Sequence, residues 1–248
     1  MRPACAPKQK RPFDKLRVDG SGLHTGSVSP IRNPMPAPHI KICGLTAPAA
    51  VDAAIEARAD YIGLVSFPRS PRHLAPADAA ALAARAAGRA KVVGLFVDPA
   101  DSLLAELVAA AKLGVIQLHG EEDPARVAAV RKAFGLPVWK ALPVATRADV
   151  ERAQAFIGAA DLVLFDAKAP KGAAMPGGLG LVFDWTLLSA HKGPLPWGLA
   201  GGLSPANVAE AVRFTKAPLV DVSSGVESAP GVKDESLIRA FCKAARAT

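Results

Sequence analysis

From His39 onward, short apolar runs alternate with stretches in which apolar residues recur every three or four positions. The runs of strand length are HIKIC at 39–43, DYIGLV at 60–65, KVVGLFV at 91–97, LGVIQL at 113–118, PVWKAL at 137–142, DLVLFD at 161–166, LPWGLA at 195–200 and PLVDV at 218–222. Continuous apolar runs suit strands buried on both faces. Helix start signals lie between them. Thr46 precedes Val51, Ala54 and Ile55 at helical spacing, and Pro99 and Asp101 open a segment with Leu103, Leu107 and Ala111 on one face. Thr146 with Asp149 three residues later is a capping-box pattern, and Ser204-Pro205 sets a capping hydroxyl before a proline at the first helical position. Eight β–α alternations predict an α/β fold with a parallel sheet. Their number and even spacing favour a closed (β/α)8 TIM barrel over an open sheet. The period is too loose for a solenoid.

Residues 1–38 break this pattern. Pro, Gly, Ser, Arg and Lys dominate and no period persists, so this stretch is expected to be a disordered extension outside the fold, or the product of a start site placed too far upstream. It has no signal-peptide core, and Asp14, Asp19 and its prolines argue against a transit peptide. It also holds +5 of the chain's formal net charge of +8. The barrel region, 39–248, is therefore close to balanced, and without interleaved aromatics the basicity does not point to nucleic acid. Three cysteines in no zinc-binding spacing argue against a disulfide framework and fit a reducing cytoplasm. No apolar run is long enough to span a membrane.

In a barrel of this kind, function sits at the carboxyl ends of the strands. Cys43-Gly44 ends the first. There the cysteine is either a small buried apolar residue or a reactive thiol that the glycine lets a ligand approach. Lys41, two positions back, shares its side of the strand by parity. Arg69 and Arg72 follow the second strand in a proline-stiffened loop, as a solvated basic loop or a carboxylate clamp. Asp98 suits a cap for the next helix. His119 stands at the rim after the fourth strand, and Lys140 on the fifth is placed to point inward. Asp166 ends the sixth strand, either as a turn cap or as a functional acid. A loop of some fourteen Gly-, Pro-, Lys- and Ala-rich residues follows it, the composition of a lid. The loops after the last two strands, AGGLS at 200–204 and DVSSGVE at 221–227, are rich in small residues whose backbone N–H groups can reach an anion, which predicts a phosphate site. Cys242 belongs to the packing of the last helix.

Taken together, KICGLT at 41–46, GLVSFPRSPR at 63–72, IQLHGEE at 116–122, FDAKAPKG at 165–172, PGGLG at 176–180, AGGLSPANV at 200–208 and DVSSGVESAPGVKD at 221–234 resemble the phosphoribosylanthranilate isomerase family. The likeness runs in order through essentially the whole chain from Ile40. It implies a single-domain barrel, monomer or homodimer, acting in tryptophan biosynthesis on a small phosphosugar–anthranilate substrate, with no metal or organic cofactor. It implies that Asp166 is a general acid and Cys43 a general base. Arg72 would take the anthranilate carboxylate, and Gly178, Gly202, Ser224 and Gly225 would surround the phosphate. Asp221 and His119 would line the site. Ser66, Met175 and Leu179 depart from the family pattern, at the aromatic and phosphate ends. The related histidine-pathway isomerase would carry an Asp in place of Cys43, and indoleglycerol-phosphate synthase would show an additional catalytic Lys and Glu. A barrel that binds phosphorylated ligands without turnover is the reading from another class.

Overall fold

The computed structural model describes residues 37–86, 88–169 and 177–247. Within these, eight parallel strands close into a barrel: β1 (His39–Cys43), β2 (Tyr61–Ser66), β3 (Lys91–Phe96), β4 (Val115–Leu118), β5 (Val138–Val144), β6 (Leu162–Ala167), β7 (Trp197–Leu199) and β8 (Leu219–Val222), with β8 pairing back onto β1. All eight predicted runs are strands, shifted by a few residues at their ends. The outer layer comprises α1 (Pro48–Glu56), α2 (Pro76–Ala86), α3 (Asp101–Ala111), α4 (Pro124–Phe134), α5 (Arg147–Glu151), α6 (Val208–Thr215) and α7 (Glu235–Arg246). The β6–β7 crossover carries only a 3₁₀ segment, Trp185–Ala190, among the described residues. No described helix is long and apolar enough to cross a membrane. Residues 1–36 and 170–176 lie outside the described residues, and with them the expectations for the extension, for much of the proposed lid and for Met175.

Strand parity divides the core in two. Ile40, Ile42, Ile62, Leu64, Ile116, Leu118, Val163 and Phe165 pack outward against the helices. The alternate positions fill the barrel in layers. Val93, Val115, Trp139, Ala141, Leu164 and Leu219 form an apolar floor. Two residues further along β4, β6 and β8 come Gln117, Asp166 and Asp221, with Lys41 beside Asp221 on β1, all buried. Cys43, Val65 and Leu95 lie at the mouth, with Phe67 and Val97 packed against them. A polar layer thus sits between an apolar floor and a partly apolar mouth.

Several local expectations are corrected. Lys140 lies between the inward Trp139 and Ala141, so it points out of the barrel, where its Nζ meets Glu122 Oε2 at 3.1 Å in a buried pair. Asp98 does not cap α3, whose N-cap is Ala100. Instead its carboxylate accepts from Glu121 N at 2.8 Å, while Glu122 accepts from Asp98 N and Gly120 N, tying the β3 and β4 loops together beneath His119. Thr46 donates to the Gly231 carbonyl rather than capping α1. Ser204-Pro205 forms a turn in which Asn207 Oδ1 accepts from Ser204 N, and α6 begins only at Val208. The Thr146–Asp149 capping box forms as predicted.

Candidate active site

Register builds one end of the site. Lys41 lies beside Asp221 across β1 and β8, and Cys43 beside Gly63 across β1 and β2. Lys41 Nζ is 3.0 and 2.9 Å from the two Asp221 carboxylate oxygens, fully buried. A Cβ on Gly63 would lie 2.8 Å from Cys43 Sγ and 3.2 Å from Lys41 Nζ, so only glycine leaves room for thiol and ammonium together. Burial is the largest influence on Lys41 and works against its charge. Asp221 and Cys43 outweigh it and hold the ammonium above its ordinary value. Burial also dominates at Cys43 and pushes the thiol up, against the pull of Lys41.

Asp166, at the end of β6, accepts from Ala167 N at 2.8 Å through Oδ1 and lies 3.2 Å from His119 Nε2 through Oδ2. The lid returns directly above this pair. A Cβ on Gly177 would stand 2.5 Å from Asp166 Oδ2 and 2.8 Å from His119 Nε2.

Arg72 is buried at the third corner. Glu227 accepts from its Nε at 2.7 Å and from its Nη2 at 2.8 Å, and the Gly178 carbonyl accepts from Nη2 at 3.2 Å. Its Nη1 has no acceptor among the described residues. Lys233 braces the same carboxylate at 2.6 Å. Burial opposes the Glu227 charge, but Arg72 and Lys233 overcome it and hold the carboxyl below its ordinary value. Glu227 and Lys233 belong to the hairpin β9 (Glu227–Ala229) and β10 (Val232–Lys233) that follows β8.

These corners open onto one cleft of about 800 Å³, its open mouth included. Val65, Phe67, Leu95 and Val97 make its apolar wall beside Arg72. Gly201, Gly202, Leu203 and Ser224 line it from the loops after β7 and β8, while Gly178 and Ser223 line it nearer Arg72. The backbone N–H groups of Gly202, Leu203, Ser224 and Gly225 find no acceptor among the described residues, which leaves four donors in the loops after β7 and β8. Gly225 does not line the cleft. It lies so close to the Leu203 carbonyl that no Cβ fits, which brings the β7 and β8 loops together.

The sequence profile described as N-(5'phosphoribosyl)anthranilate (PRA) isomerase matches residues 40–244. The chain belongs to the phosphoribosylanthranilate isomerase family. The N-(5'-phosphoribosyl)anthranilate isomerase of Paramagnetospirillum magneticum is 56% identical over 207 residues, covering 84% of this chain and 96% of that protein. That of Paracoccus denitrificans is 55% identical over 209 residues, covering 84% and 96%. The crystal structure of phosphoribosyl anthranilate isomerase from Thermotoga maritima superposes with a TM-score of 0.75 at 32% identity, over 85% of this chain and all of that one. A phosphoribosyl anthranilate isomerase in complex with reduced 1-(o-carboxyphenylamino)-1-deoxyribulose 5-phosphate gives 0.73 at 30% identity over the same share.

Of the residues singled out from sequence, Cys43, Arg72, His119, Asp166, Gly178, Gly202, Asp221 and Ser224 all line the cleft, and Gly225 packs against the Leu203 carbonyl. Ser66 is buried outside the lining, and its neighbour Phe67 lines the cleft. Leu179 is 40% exposed on the cleft's lid side. Sequence reasoning missed Gly63, Gly177, Glu227 and Lys233. Each acts by leaving space or holding another side chain, so only three-dimensional contact reveals it. Among the described residues, no three His, Cys, Asp or Glu side chains cluster as metal ligands.

Proposed function

We infer that this enzyme carries out the Amadori rearrangement of N-(5-phosphoribosyl)anthranilate to 1-(2-carboxyphenylamino)-1-deoxyribulose 5-phosphate in tryptophan biosynthesis, with Asp166 as general acid and Cys43 as general base. The observation that carries this reading is the convergence of an acid on β6 and a thiol on β1 in one cleft, between an apolar wall with an arginine and a loop set of bare backbone donors. That polarity matches a substrate with an aryl carboxylate at one end and a phosphate at the other.

Asp166 gives its proton to the furanose ring oxygen. The ring C–O bond breaks as the anthranilate nitrogen lone pair forms the iminium. Ala167 N donates to the carboxylate left behind, and His119 Nε2 lies 3.2 Å from it. Cys43, as thiolate, then removes the proton on the second sugar carbon. The electrons of that C–H bond move toward the iminium nitrogen, giving an enolamine that tautomerises to the ketone. The resting thiol is pushed up by burial, so it needs help to ionise. Lys41, and the iminium once formed, place positive charge beside it. Arg72, clamped by Glu227, offers Nη1 to the anthranilate carboxylate. Gly178, Gly202, Ser224 and Gly225 receive the phosphate mainly through backbone.

The test is the loss of fluorescence as purified protein, with no added metal, consumes freshly generated substrate, with indoleglycerol-phosphate synthase present to trap the product. Asp166→Asn and Cys43→Ala should each lower kcat by about 10²–10⁴-fold, the usual weight of a general acid or base, and still bind a product analogue. A near wild-type rate in either variant removes the role given to that residue. Binding without turnover by the wild-type protein would favour the binding-only barrel.

A further inference from the structure

Gln117 has no task in the chemistry above. It lies on β4 in the polar layer, fully buried, two residues before His119. Its Nε2 is 3.2 Å from His119 Nδ1, and its Oε1 has no partner among the described residues. An unpaired buried amide oxygen costs free energy, and a Leu or Met of similar size would fill the layer without that cost. The cost stands next to a constraint on the ring. An amide nitrogen only donates, so Nδ1 must present its lone pair, and a neutral imidazole then carries its proton on Nε2. That atom lies 3.2 Å from Asp166 Oδ2. Gly177 closes over the contact so tightly that a Cβ there would lie 2.8 Å from Nε2.

We propose that Gln117 is a positioning residue for the isomerisation: it holds His119 as the Nε2–H tautomer, so that a donor is at hand beside Asp166 when that acid gives up its proton. The proposal rests on Asp166 being the general acid. The Asp166 O–H bond breaks as the substrate's ring oxygen takes the proton, and the negative charge stays on the carboxylate. His119 transfers nothing; it keeps its Nε2–H and shares it as a hydrogen bond. The opposite tautomer would aim a nitrogen lone pair at the new carboxylate and raise the barrier to its formation.

The experiment reads the tautomer and the rate on the full chain. Long-range ¹H–¹⁵N spectra of protein labelled in histidine, with the His119 signals identified by their loss in His119→Asn, show which ring nitrogen is protonated. Wild type should show a protonated Nε2 and a bare Nδ1. Gln117→Met, close in volume and without a donor, should mix the tautomers and lower kcat by about 10–100-fold, the range for groups that orient a working histidine, with KM nearly unchanged. Gln117→Glu, which offers Nδ1 an acceptor, should put a proton there, and it carries the same comparison if the Met variant does not fold. A wild-type ring protonated on Nδ1 overturns the proposal, as does a variant in which tautomer or kcat changes without the other, or neither changes. A wild-type rate in Asp166→Asn would instead remove the general acid while leaving the tautomer reading intact, so the two failures are distinguishable.

Discussion

Cys43 illustrates how a residue acquires its chemistry from its neighbours. As a thiol near the mouth of the barrel it is 5% exposed, with an ammonium on one side and a glycine on the other. Burial outweighs Lys41, so the thiol sits above its ordinary value in the free protein. An ordinary thiol is half ionised near pH ~8.5 and gains little further thiolate beyond about one pH unit above that. Alkylation of Cys43 by iodoacetamide should therefore be slow at pH 7 and keep rising, by about tenfold per pH unit, beyond the point where a free thiol levels off. Cys242, 1% exposed and pushed up to about 11 by burial, should stay unmodified. Peptide mass spectrometry over a pH series checks both, and a Cys43 profile that levels off below pH 8 would show a thiol lowered rather than raised. The sign extends to stability: a folded value above the unfolded one gives a contribution present at lower pH and lost as pH rises through the folded value. Cys43 and Lys41 therefore both act against stability in alkali. Sequence made Cys43, Asp166, Arg72 and His119 visible because each is a reactive type at a strand's end. It could not show the raised thiol, because that depends on how β1 packs against β2 and β8.

Secondary-structure elements were legible to the extent that their signals are local. The strands stood out because both faces of each are buried and the apolar runs are unbroken. The cap of α5 was legible because all its partners lie within four residues. Asp149 Oδ2 accepts from Ala145 N, Thr146 N and Thr146 Oγ1, and Asp149 N donates to Thr146 Oγ1. Burial works against the Asp149 charge, but those donors outweigh it and hold the carboxyl below its ordinary value. Its contribution is thus in place above the ordinary carboxylate range and lost as pH falls through the lowered value. Thr146→Ala should cost about 1 kcal/mol and lower the melting point by roughly 2–4 °C in a domain of this size, with turnover at 25 °C unchanged. Thermal unfolding at pH 7 measures it, and an unshifted midpoint would mean that the packing of Val150 and Ala153, not the cap, fixes this helix. The starts of α1 and α6 were misread because the hydroxyl or turn at each was claimed by a distant or competing partner: Gly231 for Thr46, and Asn207 for the Ser204 backbone.

At the scale of the whole molecule, the eight strands close the barrel within the described residues. Four positions of β1 pair with β8, and His39 N donates to the Pro218 carbonyl at 2.9 Å. Pro38 is already buried, and the family profile starts at residue 40. The active cleft is lined from Cys43 onward. Deleting residues 1–36 should accordingly leave the melting point unchanged and kcat/KM within about twofold of the full chain. Charge is a property through which the segment can reach the reaction, since it carries +5 of the net +8 and the proposed substrate is anionic. Steering of that kind acts on encounter and fades as salt screens it. Measuring kcat/KM for both forms at low and at physiological ionic strength separates the cases. Equal values at both strengths place all of the activity in the barrel. A deficit confined to low salt would make the segment an electrostatic guide, and one that persists in folded protein at physiological salt would mean that the barrel from Ala37 onward is not the complete catalytic unit.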